Sequence, residues 1–423
     1  MFKKLALLFT IPDLRKKVLF ILVMLIVFRF ASAIPVPGAD PIRLKAFLEG
    51  NQFFGLLNIF SGGVLENLSI VMLGVGPYIT GSIIMQLLTM IIPRFKELYQ
   101  EEGEAGRAKF NQYSRMLTVP LAILQSYGLL VLLMRQQVIP PLDFFGYAIN
   151  ISVAVAGTMF LMWLGELITE KGIGNGISLI IFAGIVSGLP IAIQRELFSF
   201  TPDRLPVILA FLVMSIAVIA GVVIVSEGQR NIPVSYAKRV RGMRMYGGVS
   251  THLPLRVNQA GVIPIIFAIS IILFPGLIGS FLAGVPNPYV QQFSQFLIQV
   301  FNNQWVYGVV YFLLVFVFTY FYTAVTFDPQ QIADNVQKQG GFILGIRPGR
   351  PTAEFLYRIL NRITLAGALF LGAIAVLPLV VQGFLGIQTL TIGGTSLLIV
   401  VSVVLETMKQ INAQLVMREY ENL

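Results

Sequence analysis

The chain has 423 residues, of which 56% are hydrophobic and only 12% charged, with a formal net charge of +10 and a mean hydropathy of +0.81. That balance excludes a water-soluble globular domain. The absence of cysteine excludes a disulfide framework, iron–sulfur ligation and thiol catalysis, and one histidine, His252, is too few for a zinc or haem-iron cluster.

A bilayer core takes roughly 20 apolar residues of helix to cross. Ten such runs read along the chain, near 18–34, 68–92, 115–134, 147–169, 177–194, 205–226, 261–283, 305–326, 363–382 and 389–408. Helices are expected and not a barrel, since the alternating pattern of membrane strands is absent. Lys3, Lys4, Arg15, Lys16 and Lys17 precede the first run, and no small-residue cleavage pattern follows near Ser32 and Ile34, so it reads as a retained first helix. Arg29 is the one clear charge within it, expected to snorkel outward or to be paired structurally.

Between the first two spans, Phe53 to Leu65 is apolar enough for the membrane, yet as helix it reaches only about 20 Å. A half-helix or re-entrant element is expected, with the Ser61-Gly62-Gly63 break suggesting a cavity; an amphipathic surface helix is the alternative. The second span opens on Leu73-Gly74-Val75-Gly76-Pro77-Tyr78, suited to close packing or local loosening. Packing accounts for its glycines but less well for Thr80, Ser82 and Gln86, since polar groups at depth cost energy unless they meet a partner or water.

Two long basic segments follow the sixth and eighth spans. In 227–260, alternation at Ile232, Val234 and Tyr236 predicts a short hairpin or extended segment. In 327–362, Gly345-Ile346-Arg347-Pro348-Gly349-Arg350-Pro351-Thr352 predicts a shaped turn carrying Arg347 as an exposed cation. Topology alone requires basic loops, but their length beyond that need suggests docking surfaces. With both termini cytoplasmic, only Arg43, Lys45, Arg135, Arg195 and Arg204 fall outside; apart from Arg29, the rest of the 30 Lys and Arg lie inside. Ten spans divide into five and five, and an odd number per half permits an inverted-topology repeat.

Eight segments in order carry a resemblance: Ile34-Pro35-Val36-Pro37-Gly38, Asn58-Ile59-Phe60-Ser61-Gly62-Gly63, Gly76-Pro77-Tyr78-Ile79, Gly157-Thr158-Met159-Phe160-Leu161-Met162-Trp163-Leu164-Gly165-Glu166, Gly172-Ile173-Gly174-Asn175-Gly176-Ile177-Ser178, Thr251-His252-Leu253-Pro254-Leu255, Ala260-Gly261-Val262-Ile263-Pro264 and Gly393-Gly394-Thr395-Ser396-Leu397-Leu398-Ile399. Together they resemble the SecY family, the large pore subunits of the bacterial Sec translocon. The resemblance implies an all-α polytopic membrane protein: ten transmembrane helices in two inverted five-helix halves, 1–195 and 196–423, around a central hourglass pore. It implies a plug half-helix near 55–66, carrying Asn58, Ile59, Phe60, Ser61, Gly62 and Gly63. A pore ring would comprise Val75, Ile79, Ile181, Ile266, Ile271 and Ile399, residues that sequence alone does not separate from core. A lateral gate would form where the second and third spans face the seventh and eighth, with Thr80, Gln86, Ser114 and Asn258 able to bond across it. Arg239, Arg241, Arg244, Arg347 and Arg350 would dock a ribosome or the SecA motor.

The implied function is a passive channel in the bacterial inner membrane, moving unfolded secretory polypeptides across or releasing apolar segments sideways into lipid. No Walker glycine loop is present, so a bound ribosome, the SecA ATPase or the membrane potential supplies the energy. SecE and SecG small subunits, signal peptides, nascent polypeptides and membrane lipids are the implied partners; no cofactor, metal or catalysis is expected. Two departures from the family stand out: Arg230-Asn231 where paired basic residues are common, and valine at position 75 where isoleucine is commoner. A secondary transporter would need ionisable groups at mid-membrane beyond Arg29, and an intramembrane enzyme a nucleophile–base set to accompany Glu166, Glu170 and Glu406, so both read as weaker.

Overall fold

The computed structural model describes residues 11–36, 65, 68–100, 102–135, 137–198, 201–202, 205–236, 239–241, 244–246, 250–282, 287–385 and 394–421. The predicted plug residues Asn58 to Gly63 lie outside the described residues.

Helix α1, Pro12–Ser32, starts with proline in its first turn, where a missing N–H costs nothing. Arg29 is exposed in its last turn, a place where a cation favours the helix dipole and can reach an interface. The chain then returns as irregular backbone: Val36 N–H donates to Leu68 O at 2.7 Å and Ile70 N–H to Ile34 O at 3.0 Å. The predicted second span therefore becomes helical only at Gly76, because Leu68 (φ 40°) and Gly74 (φ 58°) hold left-handed turns before it. Leu68 and Val71 to Val75 are nonetheless buried, so this non-helical stretch lies within protein, where such backbone can be tolerated at membrane depth.

Helix α2, Gly76–Ile91, bends by 115° at Ile92 into α3, Pro93–Gln100. Proline at the break supplies no N–H for helix continuity. Next come α4, Gly103–Arg135, and α5, Phe144–Lys171, whose cap Asp143 accepts from Gly146 N at 2.8 Å. Then α6, Gly176–Phe198, is started by Asn175, which accepts from Ile177 N and Ser178 N, and α7, Leu205–Glu227, follows.

The extended segment expected after α7 is β1, Gln229–Tyr236, followed by β2, Arg239–Arg241, β3, Arg244–Tyr246, and β4, Ser250–Arg256. Strands β1 and β4 are antiparallel, with Ile232 opposite Leu253. Helices α8, Ile263–Leu282, α9, Pro288–Asn302, α10, Gln304–Thr326, and α11, Pro329–Lys338, come next. Between Arg256 and Asp328 the sequence has no Asp, Glu, Lys, Arg or His. Strand β5, Gly341–Ile343, then pairs with the other edge of β1, so the two basic loops share one sheet of order β4-β1-β5. This joining went unforeseen, and it departs from a purely helical fold.

Helix α12, Arg350–Leu385, begins thirteen residues before the predicted 363, and α13, Gly394–Glu421, completes the order. At 1.5 Å per residue, the 36 residues of α12 reach about 54 Å, well beyond a hydrocarbon core of about 30 Å. Its first turns are explained by the sheet: Leu356 and Ile359 pack with Ile232, Val234, Leu255 and Ile343 in a small separate core. Leu356→Ala should cost about 2–5 kcal/mol there and expose both basic loops together to trypsin. Release of one loop alone would show that they are not one body.

Among the described residues six helices, α4, α5, α7, α10, α12 and α13, are long and apolar enough to cross a membrane, or seven if the bent α2–α3 pair is one span. All ten runs read from the sequence nevertheless overlap helices, the others being α1, α6 and α8. The main core draws on α1, α2, α5, α6, α7, α8, α10, α12 and α13, while α4 packs with Leu65, Leu68 and Met72 in a second cluster.

Candidate pore and gate site

Val75 caps the N-terminus of α2 and Ile79 follows one turn later; Ile181 lies on α6, Ile266 and Ile271 on α8, and Ile399 on α13. Elements remote in sequence bring Val75, Ile79, Ile181, Ile266 and Ile399 into one buried aliphatic cluster, with Ile271 packed against it. The same cluster holds many other residues, so membership fits the ring without singling it out. Close approach builds this neighbourhood. A Cβ on Gly157 of α5 would overlap the Ile70 carbonyl oxygen, and one on Gly176 would overlap that of Gly165.

At the expected gate, α8 packs against both α2 and α4. Thr80 and Ser114 are buried, and each hydroxyl bonds within its own helix: Thr80 to Gly76 O at 3.0 Å, Ser114 to Phe110 O at 3.2 Å. Among the described residues, neither hydroxyl donates across the helix boundary. Asn258, just before α8, donates Nδ2 to Gly261 O at 3.2 Å, while its Oδ1 is buried with no hydrogen-bond partner among the described residues. Gln86 Oε1 on α2 is unpartnered in the same way. Both amides thus retain acceptor capacity, which is costly in an apolar setting unless water or another chain supplies a donor.

Sequence reasoning missed two features. Arg115 of α4 pairs with Glu166 of α5 at 2.6 Å, with both side chains partly exposed. Periodicity within one helix does not disclose this partnership between two helices. The hydroxyls of Tyr307 and Tyr311, one turn apart on α10, are buried without a partner among the described residues. Tyrosine in an otherwise apolar span was the available signal.

Of the expected docking residues, Arg239 and Arg241 lie on β2 and Arg244 on β3, two strands that pair antiparallel. Arg347 is exposed in the turn after β5, between Gly345 (φ 82°) and Gly349 (φ 93°), and its carbonyl accepts from Thr352 Oγ1 at 2.8 Å. Arg350 is the first residue of α12 and is exposed, 3.4 Å from Glu354 one turn on. The predicted turn thus extends to Gly349, and Pro351 is accommodated in the first helical turn. Among the described residues, no group of three His, Cys, Asp or Glu is placed to hold a metal.

A bundle of apolar helices joined on one buried aliphatic cluster defines a multi-pass membrane protein. The SecY family model matches residues 69–408, and the chain belongs to that family. Protein translocase subunit SecY of Streptomyces galbus is 46% identical, aligned over 98% of this chain and 97% of its own. The subunit of the same name from Halalkalibacterium halodurans is also 46% identical, over 100% and 99% respectively. Among solved structures, one described as "The structure of a protein conducting channel" superposes with a TM-score of 0.65 at 18% identity, over 93% of this chain and 91% of that one. "Sec61 in the Canine ribosome-channel complex from the endoplasmic reticulum" gives 0.63 at 18%, over the same shares.

Proposed function

We propose that the chain is the pore subunit of a protein-conducting channel, carrying unfolded secretory polypeptides across the bacterial cytoplasmic membrane and releasing transmembrane segments sideways into lipid. Family membership supports a translocation channel and a role other than an enzyme's. The single observation that carries the site is the convergence of Val75, Ile79, Ile181, Ile266 and Ile399 from separate helices on one buried aliphatic cluster. A narrow apolar ring excludes water and ions by dewetting and can part around a sliding chain.

In this reading the chain makes ten spans with both ends cytoplasmic, in halves 1–195 and 196–423, and Asn58 to Gly63 belong to a plug. Support for the ten comes from a helix at every apolar run and from the inside bias of Lys and Arg. The gate lies where α2 and α4 meet α8, with Thr80, Gln86, Ser114 and Asn258 along it. Arg239, Arg241, Arg244, Arg347 and Arg350 receive a ribosome or the SecA motor, and SecE and SecG complete the complex. The shared sheet supports a combined docking surface for both loops.

The test uses the absence of cysteine. A cysteine introduced at Ile79 or Ile181 should form a disulfide with a cysteine in a stalled secretory polypeptide. No disulfide, with the polypeptide engaged and both thiols reactive, would place the path elsewhere.

A further inference from the structure

Helix α9 joins the end of α8 to the start of α10, so it lies at the opposite end of those helices from the β-sheet. Its 15 residues reach about 22 Å, too short to cross a bilayer. Both ends are fixed by asparagine: Asn287 accepts from Tyr289 N at 3.0 Å, and Asn303 caps α10 through Trp305 N at 3.0 Å.

Three faces follow from the helical period. Ser294 points inward, fully buried, its hydroxyl donating to the Gly279 carbonyl of α8 at 2.6 Å, with Leu297 and Phe301 on the same side and only partly exposed. Gln291, Gln295 and Gln299 form an exposed polar face roughly a third of a turn away. On the third face Tyr289, Phe293 and Phe296 are 81%, 54% and 60% exposed at i, i+4 and i+7. An aromatic stripe of this exposure is costly in water. Trp305, 68% exposed at the second position of α10, lies at the same end of the bundle, where tryptophan marks the membrane–water boundary.

We propose that α9 is an interfacial membrane anchor, its Tyr289-Phe293-Phe296 face seated in the lipid leaflet farther from the β-sheet. The glutamine face remains in water. The occupant is lipid because both neighbouring helices are read as spans, which puts α9 at headgroup level, and an aromatic face flanked by an uncharged polar face suits that boundary. The absence of charge between Arg256 and Asp328 makes the contact indifferent to headgroup charge. Through the buried Ser294–Gly279 bond, α9 moves with α8, the helix that meets α2 and α4. The inference rests on the reading that α8 and α10 cross the membrane.

The test places single tryptophans in a Trp163→Phe, Trp305→Phe background, with the purified complex in nanodiscs of lipids brominated near the headgroup or near the tail end. Phe293→Trp and Phe296→Trp should each lose fluorescence more to shallow than to deep bromines, whereas Gln295→Trp should be quenched by aqueous acrylamide. Replacing neutral lipid by anionic lipid should leave the quenching unchanged. Val317→Trp, on the exposed side of α10 in mid-helix, reports the span itself and should be quenched by deep bromines. Quenched Val317→Trp with both α9 reporters unquenched overturns the anchor; the reporters are then open to acrylamide if in water, or shielded from it if a protein covers them. An unquenched Val317→Trp overturns the spanning reading instead.

Discussion

Replacing Gly157 by valine is expected to abolish channel function, and by alanine to impair it, because the first added carbon has no space. That carbon would overlap the Ile70 carbonyl oxygen and come within 3.1 Å of Val71 Cα. The neighbours cannot easily yield: Val71, Met72 and Val75 are each at most 1% exposed. Overpacking of this kind typically costs about 1–3 kcal/mol for small additions, with displaced backbone as the usual response. Here the displaced backbone leads straight into Val75 and the first turn of α2. The measurement is accumulation of unprocessed secretory precursor when the variant is the sole copy, with the melting temperature of the purified complex alongside. Gly188→Ala is the control, since nothing lies within 4 Å of a Cβ there. Wild-type export and melting by Gly157→Val would refute the close packing.

Ile181→Asp should turn a tight membrane into a leaky one. Ile181 is 1% exposed among the proposed ring residues, and burying a carboxylate in a membrane helix costs up to about 3 kcal/mol on insertion scales, the figure for the helix centre. The carboxylate recovers that cost by drawing water into the constriction, and a wetted constriction conducts. Ion efflux from proteoliposomes should rise well above that of Ile181→Leu, a volume-conserving change costing under about 1.5 kcal/mol. A monodisperse Ile181→Asp complex that stays as tight as Ile181→Leu would remove Ile181 from the ring.

Local chemistry explains what could be read in advance. Apolar runs located every long helix, and alternation at Ile232, Val234 and Tyr236 located β1, because each signal lies within one element. The start of α2 was misplaced because apolar composition does not distinguish helix from buried turns: Leu68 to Val75 are as hydrophobic as a span. The early start of α12 was missed because its first turns serve the sheet, not lipid, and carry Arg358 and Arg362. Pairing of β5 with β1 joins residues about a hundred apart, and the Arg115–Glu166 pair likewise depends on tertiary placement. The ring is the limiting case, since isoleucine facing a pore and isoleucine facing a core obey the same preference.

The charge-free stretch from α8 through α10 has an electrical consequence. Moving one elementary charge through a membrane potential changes the energy by about 2.3 kcal/mol per 100 mV. If the proposed gate opens by shifting α8 together with α9 and α10, these helices carry no ionised side chain through that field, which leaves only the partial charges of the helix ends. Voltage applied across the membrane then acts more strongly on the charged residues of a travelling polypeptide than on the side chains of these three helices.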